Sequence, residues 1–246
     1  MGKRGLSLRF SEGIHGERIM KKWILFLLST AIFLCPHTTS AQADQPVIRS
    51  GNPNSMKIAL TFDDGPHPYK TDAVMDILAR YGIRATFFVV GENVSYYPEP
   101  LKRAVALGHE IGNHTYHHTL LSKSCEQSTA EEIEKTEEII FRTAGYRTKL
   151  FRPPEGAYSE CSLNVVKSKD YRVILWTVDS RDWENTSAEA MVTNALNNVR
   201  GGSILLFHDY MGKRSNTLEA IEILIPKLLS RGYKFVTVSE LLEQNH

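Results

Sequence analysis

The sequence predicts an α/β fold: one domain in which about seven parallel strands alternate with helices and close as a distorted (β/α) barrel. Three observations predict it. Short apolar runs and amphipathic stretches alternate in one recurring order, which requires parallel strands joined by crossover helices. Glycines recur at the ends of those units, Gly82, Gly108, Gly145, Gly201 and Gly232, as helix C-termini prefer. Polar clusters follow directly on the apolar runs, which is where β/α barrels carry their chemistry. A doubly wound open sheet would satisfy the first two observations equally well.

Composition agrees with one compact catalytic or binding domain. The 246 residues are 42% hydrophobic and 23% charged, enough apolar mass for a sizeable core and unlike disordered, collagenous or coiled-coil chains. Lys and Arg number 29 against 28 Asp and Glu, so no basic stripe is available to neutralise phosphates, and nucleic acid is excluded as an expected partner.

Taken in order, the chain opens with a predicted leader, residues 1–43. Met20-Lys21-Lys22 reads as a positive n-region, Trp23 to Cys35 as the hydrophobic h-region, and Ala41-Gln42-Ala43 as a cleavage site. The apolar run is shorter than the ~20 residues of a membrane span. A signal peptide cleaved after Ala43 is therefore expected, with Met20 as the true start, giving a secreted or cell-envelope protein with no stable membrane insertion once the signal is removed. Leu34 stands before Cys35 where a lipoprotein would carry a small residue. Loss of the leader removes six basic and two acidic residues and leaves a net charge of −3.

A short polar lead, 44–56, precedes seven expected strands: Lys57–Phe62, Arg84–Val90, Glu110-Ile111 with its neighbours, Leu150-Phe151, Arg172–Trp176, Ser203–Phe207 and Lys234–Val236. The amphipathic stretches Thr71–Tyr81, Thr129–Thr143, Ser187–Val199 and Thr217–Arg231 lie between them as expected helices. No linker, low-complexity tract or close repeat interrupts the pattern.

The polar clusters carry the functional signal. Asp63-Asp64-Gly65-Pro66 follows the first run, His114-Thr-Tyr-His117-His118 the third, Arg152-Pro-Pro-Glu155-Gly156 the fourth, Asp179-Ser-Arg-Asp182-Trp183 the fifth and His208-Asp209 the sixth. Paired aspartates before Gly-Pro also make ordinary turns, but at the end of a buried strand their side chains point in different directions. One could then bind a metal while the other meets a water. His114 and His118 have the i, i+4 spacing that puts two imidazoles on one face of a helical turn, a spacing metal sites use. Two histidines and one carboxylate leave a coordination position open, the mark of a catalytic site rather than a structural one.

TFDDGP (61–66), HTYHH (114–118), RPPEG (152–156), DSRDW (179–183) and ILLFH (204–208) resemble, in order and spacing, the five motifs of the polysaccharide deacetylase family, carbohydrate esterase family 4. The resemblance spans residues 57 to about 240, so 57–246 is expected to be the catalytic domain. It implies that Asp64, His114 and His118 hold one divalent metal ion, zinc by expectation, and that Asp63 is the general base. It implies that His208 is the general acid, oriented by Asp182, and that Arg152 holds the base carboxylate. Trp183 and Leu206 match positions lining the acetyl pocket. Glu155 stands where the family usually has an aromatic residue whose backbone N–H helps hold the oxyanion; the donor survives here, and a carboxylate is gained at the rim. His67, His109 and His117 match no ligand position and are expected to be structural or supporting.

The function implied is secreted, metal-dependent removal of N-acetyl groups from an amino-sugar polymer such as peptidoglycan or chitin, by a monomer. Two alternatives use the same fold. One acts on O-acetyl esters of the acetylxylan type; the other is a carbohydrate-binding barrel without chemistry, which would lack at least one of Asp63, Asp64, His114, His118 or His208. Cys125 and Cys161 remain beyond the leader, an even count in a chain bound for an oxidising compartment, and a disulfide between them is expected.

Overall fold

The computed structural model describes residues 47–184, 186–210 and 216–243. The expected leader, its start at Met20 and its cleavage after Ala43 lie outside the described residues. Among the described residues eight parallel strands form one curled sheet: β1 (Lys57–Asp63), β2 (Thr86–Val89), β3 (Glu110–Asn113), β4 (Leu150–Phe151), β5 (Arg172–Val173), β6 (Val178–Asp179), β7 (Ile204–His208) and β8 (Lys234–Val236). Their order is β5-β4-β3-β2-β1-β7-β6, with β8 paired to the first three residues of β1. This is the expected distorted barrel with one strand more. The fifth apolar run divides, its start pairing with β4 and the residues just beyond it pairing with β7.

The division leaves a seam between β5 and β6, the two ends of the sheet. The polar lead fills it: Ile48 donates its N–H to the Val173 carbonyl at 2.8 Å and accepts from the Leu175 N–H at 2.7 Å. Ser50 then bridges to Ser203 on the β7 side.

Alternation along β1 decides what each face does. Ile58, Leu60 and Phe62 join the larger core with Val74, Met75 and Leu78 of α1 (Lys70–Arg80). The remaining positions, Ala59, Thr61 and Asp63, fall on the other face, where Ala59 packs with Phe88, Ile174 and Ile204. A strand with this alternation therefore carries Asp63, at its last residue, to the rim of the barrel interior.

Seven further helices among the described residues cover the sheet: α2 (Gly91–Tyr96), α3 (Pro98–Ala106), α4 (Glu126–Ala144), α5 (Glu160–Ser168), α6 (Ala188–Asn198), α7 (Thr217–Ser230) and α8 (Val238–Leu242). α1, α4, α6 and α7 are the four amphipathic stretches of the sequence. α5 and α8 start with capping boxes, Ser159 with Ser162 and Thr237 with Glu240, a local signal that fixes short helices. Among the described residues no helix is long and apolar enough to cross a membrane.

Gly82, Gly108, Gly145 and Gly232 adopt left-handed φ as expected at helix ends, but Gly201 does not; Gly202 takes that conformation. Gly201 answers a different constraint, since a Cβ there would lie 1.9 Å from the Ser55 carbonyl. A second correction concerns the cysteines. Cys125 and Cys161 are both free. Cys125 occupies the N-cap position of α4, its Sγ 3.5 Å from Ser128 Oγ, and Cys161 lies in the first turn of α5. The two loops do meet, through the Leu121–Tyr158 bridge, but each thiol belongs to the start of its own helix.

Candidate active site

Eight of the ten residues singled out from the sequence line one cavity of about 450 Å³ at the carboxyl ends of the strands: Asp63, Asp64, His114, His118, Glu155, Trp183, Leu206 and His208. The other two, Arg152 and Asp182, are buried behind it, each against a group that lines it.

Asp63 ends β1, and its register partner on β7 is His208, so the carboxylate and the imidazole leave neighbouring strands. Asp63 Oδ1 accepts a 2.6 Å hydrogen bond from Arg152 Nη1, while its Oδ2 faces His114 Nε2 at 3.8 Å. Arg152 is fully buried. Its guanidinium also donates to Thr61 Oγ1 and to the carbonyls of Ile174 and Leu175, and stacks over the Phe88 ring at 4.0 Å. A buried cation needs such pairing and saturation to be tolerated, and Arg152 has both.

The backbone turns sharply after Asp63. Asp64 has φ 75°, in the left-handed region that side chains rarely adopt, which swings its carboxylate towards the histidines. Gly65 is required by close approach: a Cβ there would lie 2.4 Å from the Asp209 carboxylate. Asp209 is itself buried, accepts from Thr71 Oγ1 at 2.5 Å, and burial pushes its carboxyl up to about 7.

His114 and His118 project from the loop after β3. Nδ1 of His114 donates to the Arg152 carbonyl at 2.7 Å, which leaves its Nε2 as the free lone pair. The rings of His114 and His118 meet edge to face at 5.1 Å. Asp64 Oδ1 lies 3.4 Å from His114 Nε2 and 3.2 Å from His118 Nε2. That oxygen is buried with no hydrogen-bond partner. Burial alone would raise the Asp64 pKa, but the two imidazoles outweigh it and hold the carboxyl well below its usual range. The same closeness to Asp64 raises the pKa of His118. An orphaned buried carboxylate oxygen facing two imidazole nitrogens, with all three ligand atoms within 4.8 Å of one another, fits a divalent cation.

On the far side of the cavity, Asp182 Oδ1 holds His208 Nδ1 at 2.7 Å and its Oδ2 accepts the His208 backbone N–H at 2.8 Å. Burial lowers the His208 pKa, but the Asp182 hydrogen bond and charge, with Asp63 and Asp64 adding, push it up to about 9. His208 is thus a protonated donor at neutral pH. Leu206, on the same face of β7 two residues earlier, is buried, and Trp183 stands 52% exposed at the mouth. Glu155 has φ 55° and is exposed at the rim.

Two further residues line the cavity to which the sequence motifs assign no role, Trp176 and Asp179. Both lie in the segment where the fifth run divides, so a continuous strand would have hidden them. Glu132 of α4 was missed entirely. Its buried carboxylate accepts the N–H groups of Tyr116 and His117, each at 2.8 Å, and pairs with His117 Nδ1 at 2.7 Å. No local signal marks a glutamate in the middle of a helix as the anchor of a loop. The three histidines set aside are supporting groups: His109 is buried, accepts the Ala85 N–H, and is pushed by burial and by Arg103 and Arg84 down to about 4. His67 accepts from the backbone of Tyr69 and Lys70, and His117 pairs with Glu132.

Barrel and cavity together define the class, a β/α barrel with a candidate active site at the carboxyl ends of its strands. The chain belongs to the polysaccharide deacetylase family, whose model matches residues 50–174. It is 40% identical over 197 residues to a peptidoglycan-N-acetylglucosamine deacetylase of Bacillus cereus, covering 79% of this chain and 92% of that protein. Among solved structures, a peptidoglycan N-acetylglucosamine deacetylase in complex with 4-naphthalen-1-yl-N-oxidanyl-benzamide matches with a TM-score of 0.77 and 38% identity, over 79% of this chain and 92% of the other. A family 4 acetyl xylan esterase from Clostridium thermocellum in complex with a cobalt ion matches with a TM-score of 0.71 and 38% identity, over 75% and 89% of the two chains.

Proposed function

We propose that the protein is a secreted, metal-dependent deacetylase that removes N-acetyl groups from an amino-sugar polymer, peptidoglycan foremost and chitin second. One observation carries the reading: the Asp64, His114 and His118 ligand atoms converge in the same cavity as a carboxylate held by arginine and an imidazole held by aspartate. A divalent cation in that triad, zinc by its nitrogen and oxygen donor set, lowers the pKa of water and polarises the acetyl carbonyl when bound.

The chain's own residues do the rest. Asp63, its Oδ1 fixed by Arg152, takes a proton from the attacking water at Oδ2. His208, protonated through its pairing with Asp182, gives a proton to the departing nitrogen. That donation matters because an amine anion is a very poor leaving group. Leu206 and Trp183 form the apolar wall for the acetyl methyl. The Glu155 N–H contributes a backbone donor to the developing oxyanion. Residues 57–246 are the catalytic domain of a monomer, exported on the leader and released after Ala43.

Ester hydrolysis is the second reading, favoured by the likeness to an acetyl xylan esterase. The deciding experiment compares acetate release from peptidoglycan glycan strands, N-acetylglucosamine oligomers and acetylated xylan. Release from either N-acetylated substrate, abolished by chelation and restored by zinc, is expected. Release from acetylated xylan alone would overturn the amide reading in favour of the ester one.

A further inference from the structure

We infer that the mouth of the cavity selects glycan carrying a free amine next to the acetylated sugar, with Glu155 and Asp179 as the specificity-determining residues. This rests on the deacetylase reading above and narrows its substrate class to partly deacetylated, cationic amino-sugar polymer.

The inference comes from the charges in the cavity wall. Among the described residues four carboxylates line it, Asp63, Asp64, Glu155 and Asp179, and no lysine or arginine does. Two of the four are already engaged, Asp63 with Arg152 and Asp64 with the two histidines. His208 is engaged with Asp182. Among the described residues, Glu155 and Asp179 have no ion-pair partner. One Asp179 oxygen accepts the Arg181 N–H at 2.9 Å, which fixes the side chain and leaves the other oxygen for a ligand. Asp179 also lines the adjoining cavity together with Arg181, whose Nε is 3.8 Å from Glu184.

Beside these carboxylates stand two indoles, Trp176 and the half-exposed Trp183. Carboxylates with aromatic faces form a recognition surface for ammonium, by charge and by cation–π attraction. A glucosaminium unit offers both an ammonium and a sugar ring face. A muramic unit stripped of its peptide would bring a free carboxylate against two like charges, whereas a peptide-bearing one, its lactyl group an amide, would not. An exposed site of this kind is screened by salt.

The test uses the full enzyme with zinc and two N-acetylglucosamine oligomers of equal length, one fully acetylated and one with a free amine on the sugar beside the scissile unit. Acetate release is followed below the amine's pKa, at low and high salt. The wild type is expected to show a KM about tenfold lower for the amine-bearing oligomer, shrinking in high salt. E155Q and D179N are each expected to lose a few-fold of that advantage, and the double variant nearly all of it. Equal KM values for the two oligomers in the wild type would overturn the inference, as would a double variant that keeps the preference. If neither these oligomers nor peptidoglycan glycan strands release acetate, the deacetylase reading fails. Calorimetric binding of a glucosamine oligomer then decides the charge selection alone: tighter binding to wild type than to the double variant supports it, and equal binding rejects it.

Discussion

Arg152 holds two parts of the cavity at once: its backbone carbonyl accepts from His114 Nδ1 at 2.7 Å, and its guanidinium holds Asp63 at 2.6 Å. The carbonyl sets the imidazole tautomer that leaves Nε2 for a metal, and the side chain orients the carboxylate. The two functions separate in a side-chain variant. R152A should keep its metal, because the carbonyl remains, but leave Asp63 buried without its cation. A loss of about 3–5 kcal/mol in stability is expected for breaking a buried pair, measured by urea unfolding. Turnover should fall with zinc content near one per chain; metal loss in folded R152A would contradict this division.

Asp63 and Asp64 are adjacent, yet the backbone gives them different tasks. Asp63 continues the strand and is held by Arg152, while Asp64 turns away at φ 75° towards the histidines. D63N should therefore bind metal normally and lose roughly 10² to 10⁴ in kcat, the range expected for a missing general base. D64N should lose the metal itself. Elemental analysis of both proteins checks the assignment, and metal loss in D63N would mean that the two roles are exchanged.

How much of this could be read from sequence follows from the range of the forces involved. Asp63, Asp64, His114, His118 and His208 are legible because each follows an apolar run, and a parallel barrel brings all such strand ends to one rim. Trp176 and Asp179 were less legible because the division of the fifth run depends on which neighbour each half pairs with, β4 or β7. The seam-filling role of Ile48 depends on that division too. α2 and α3 escaped because they are short and lie back to back between strands, where their apolar spacing runs over too few turns to stand out. The disulfide expectation failed because an even cysteine count says nothing about where helices α4 and α5 begin.

His208 gives the pH dependence. Asp182 outweighs burial and holds the imidazolium up to about 9, so the acid form persists through neutral pH and is lost above that value. The alkaline limb of kcat/KM should fall near that pH in the wild type. D182N removes the influence that raises the pKa and leaves burial, which lowers it. The limb should then move to lower pH, by roughly 1–3 units. The fold responds with the same sign: the stabilisation from the His208–Asp182 pair is complete below the unfolded histidine pKa of about 6.5 and is lost as pH rises through about 9. An unmoved alkaline limb in D182N would assign that limb to another group.

Glu132 makes the last prediction, because it acts on the metal site without touching a ligand. It lies on α4, and its carboxylate gathers the Tyr116 and His117 N–H groups and the His117 ring, all between the two histidine ligands. These hydrogen bonds hold its own pKa below the usual range despite burial. They also pin the loop while His118 adopts φ 56°, a conformation that costs energy unless its surroundings impose it. Removing the anchor should let the loop relax and carry His118 away from Asp64. E132A is expected to weaken zinc binding about 10- to 100-fold, as loss of an outer partner of a metal ligand typically does. Competition against a chromophoric chelator reads this directly, and saturating zinc should restore most of the turnover. E132Q, which keeps a carbonyl oxygen for the two backbone donors, should lie between E132A and wild type. Wild-type zinc affinity in a folded E132A would show that the loop holds its geometry without help, leaving Glu132 a purely structural group.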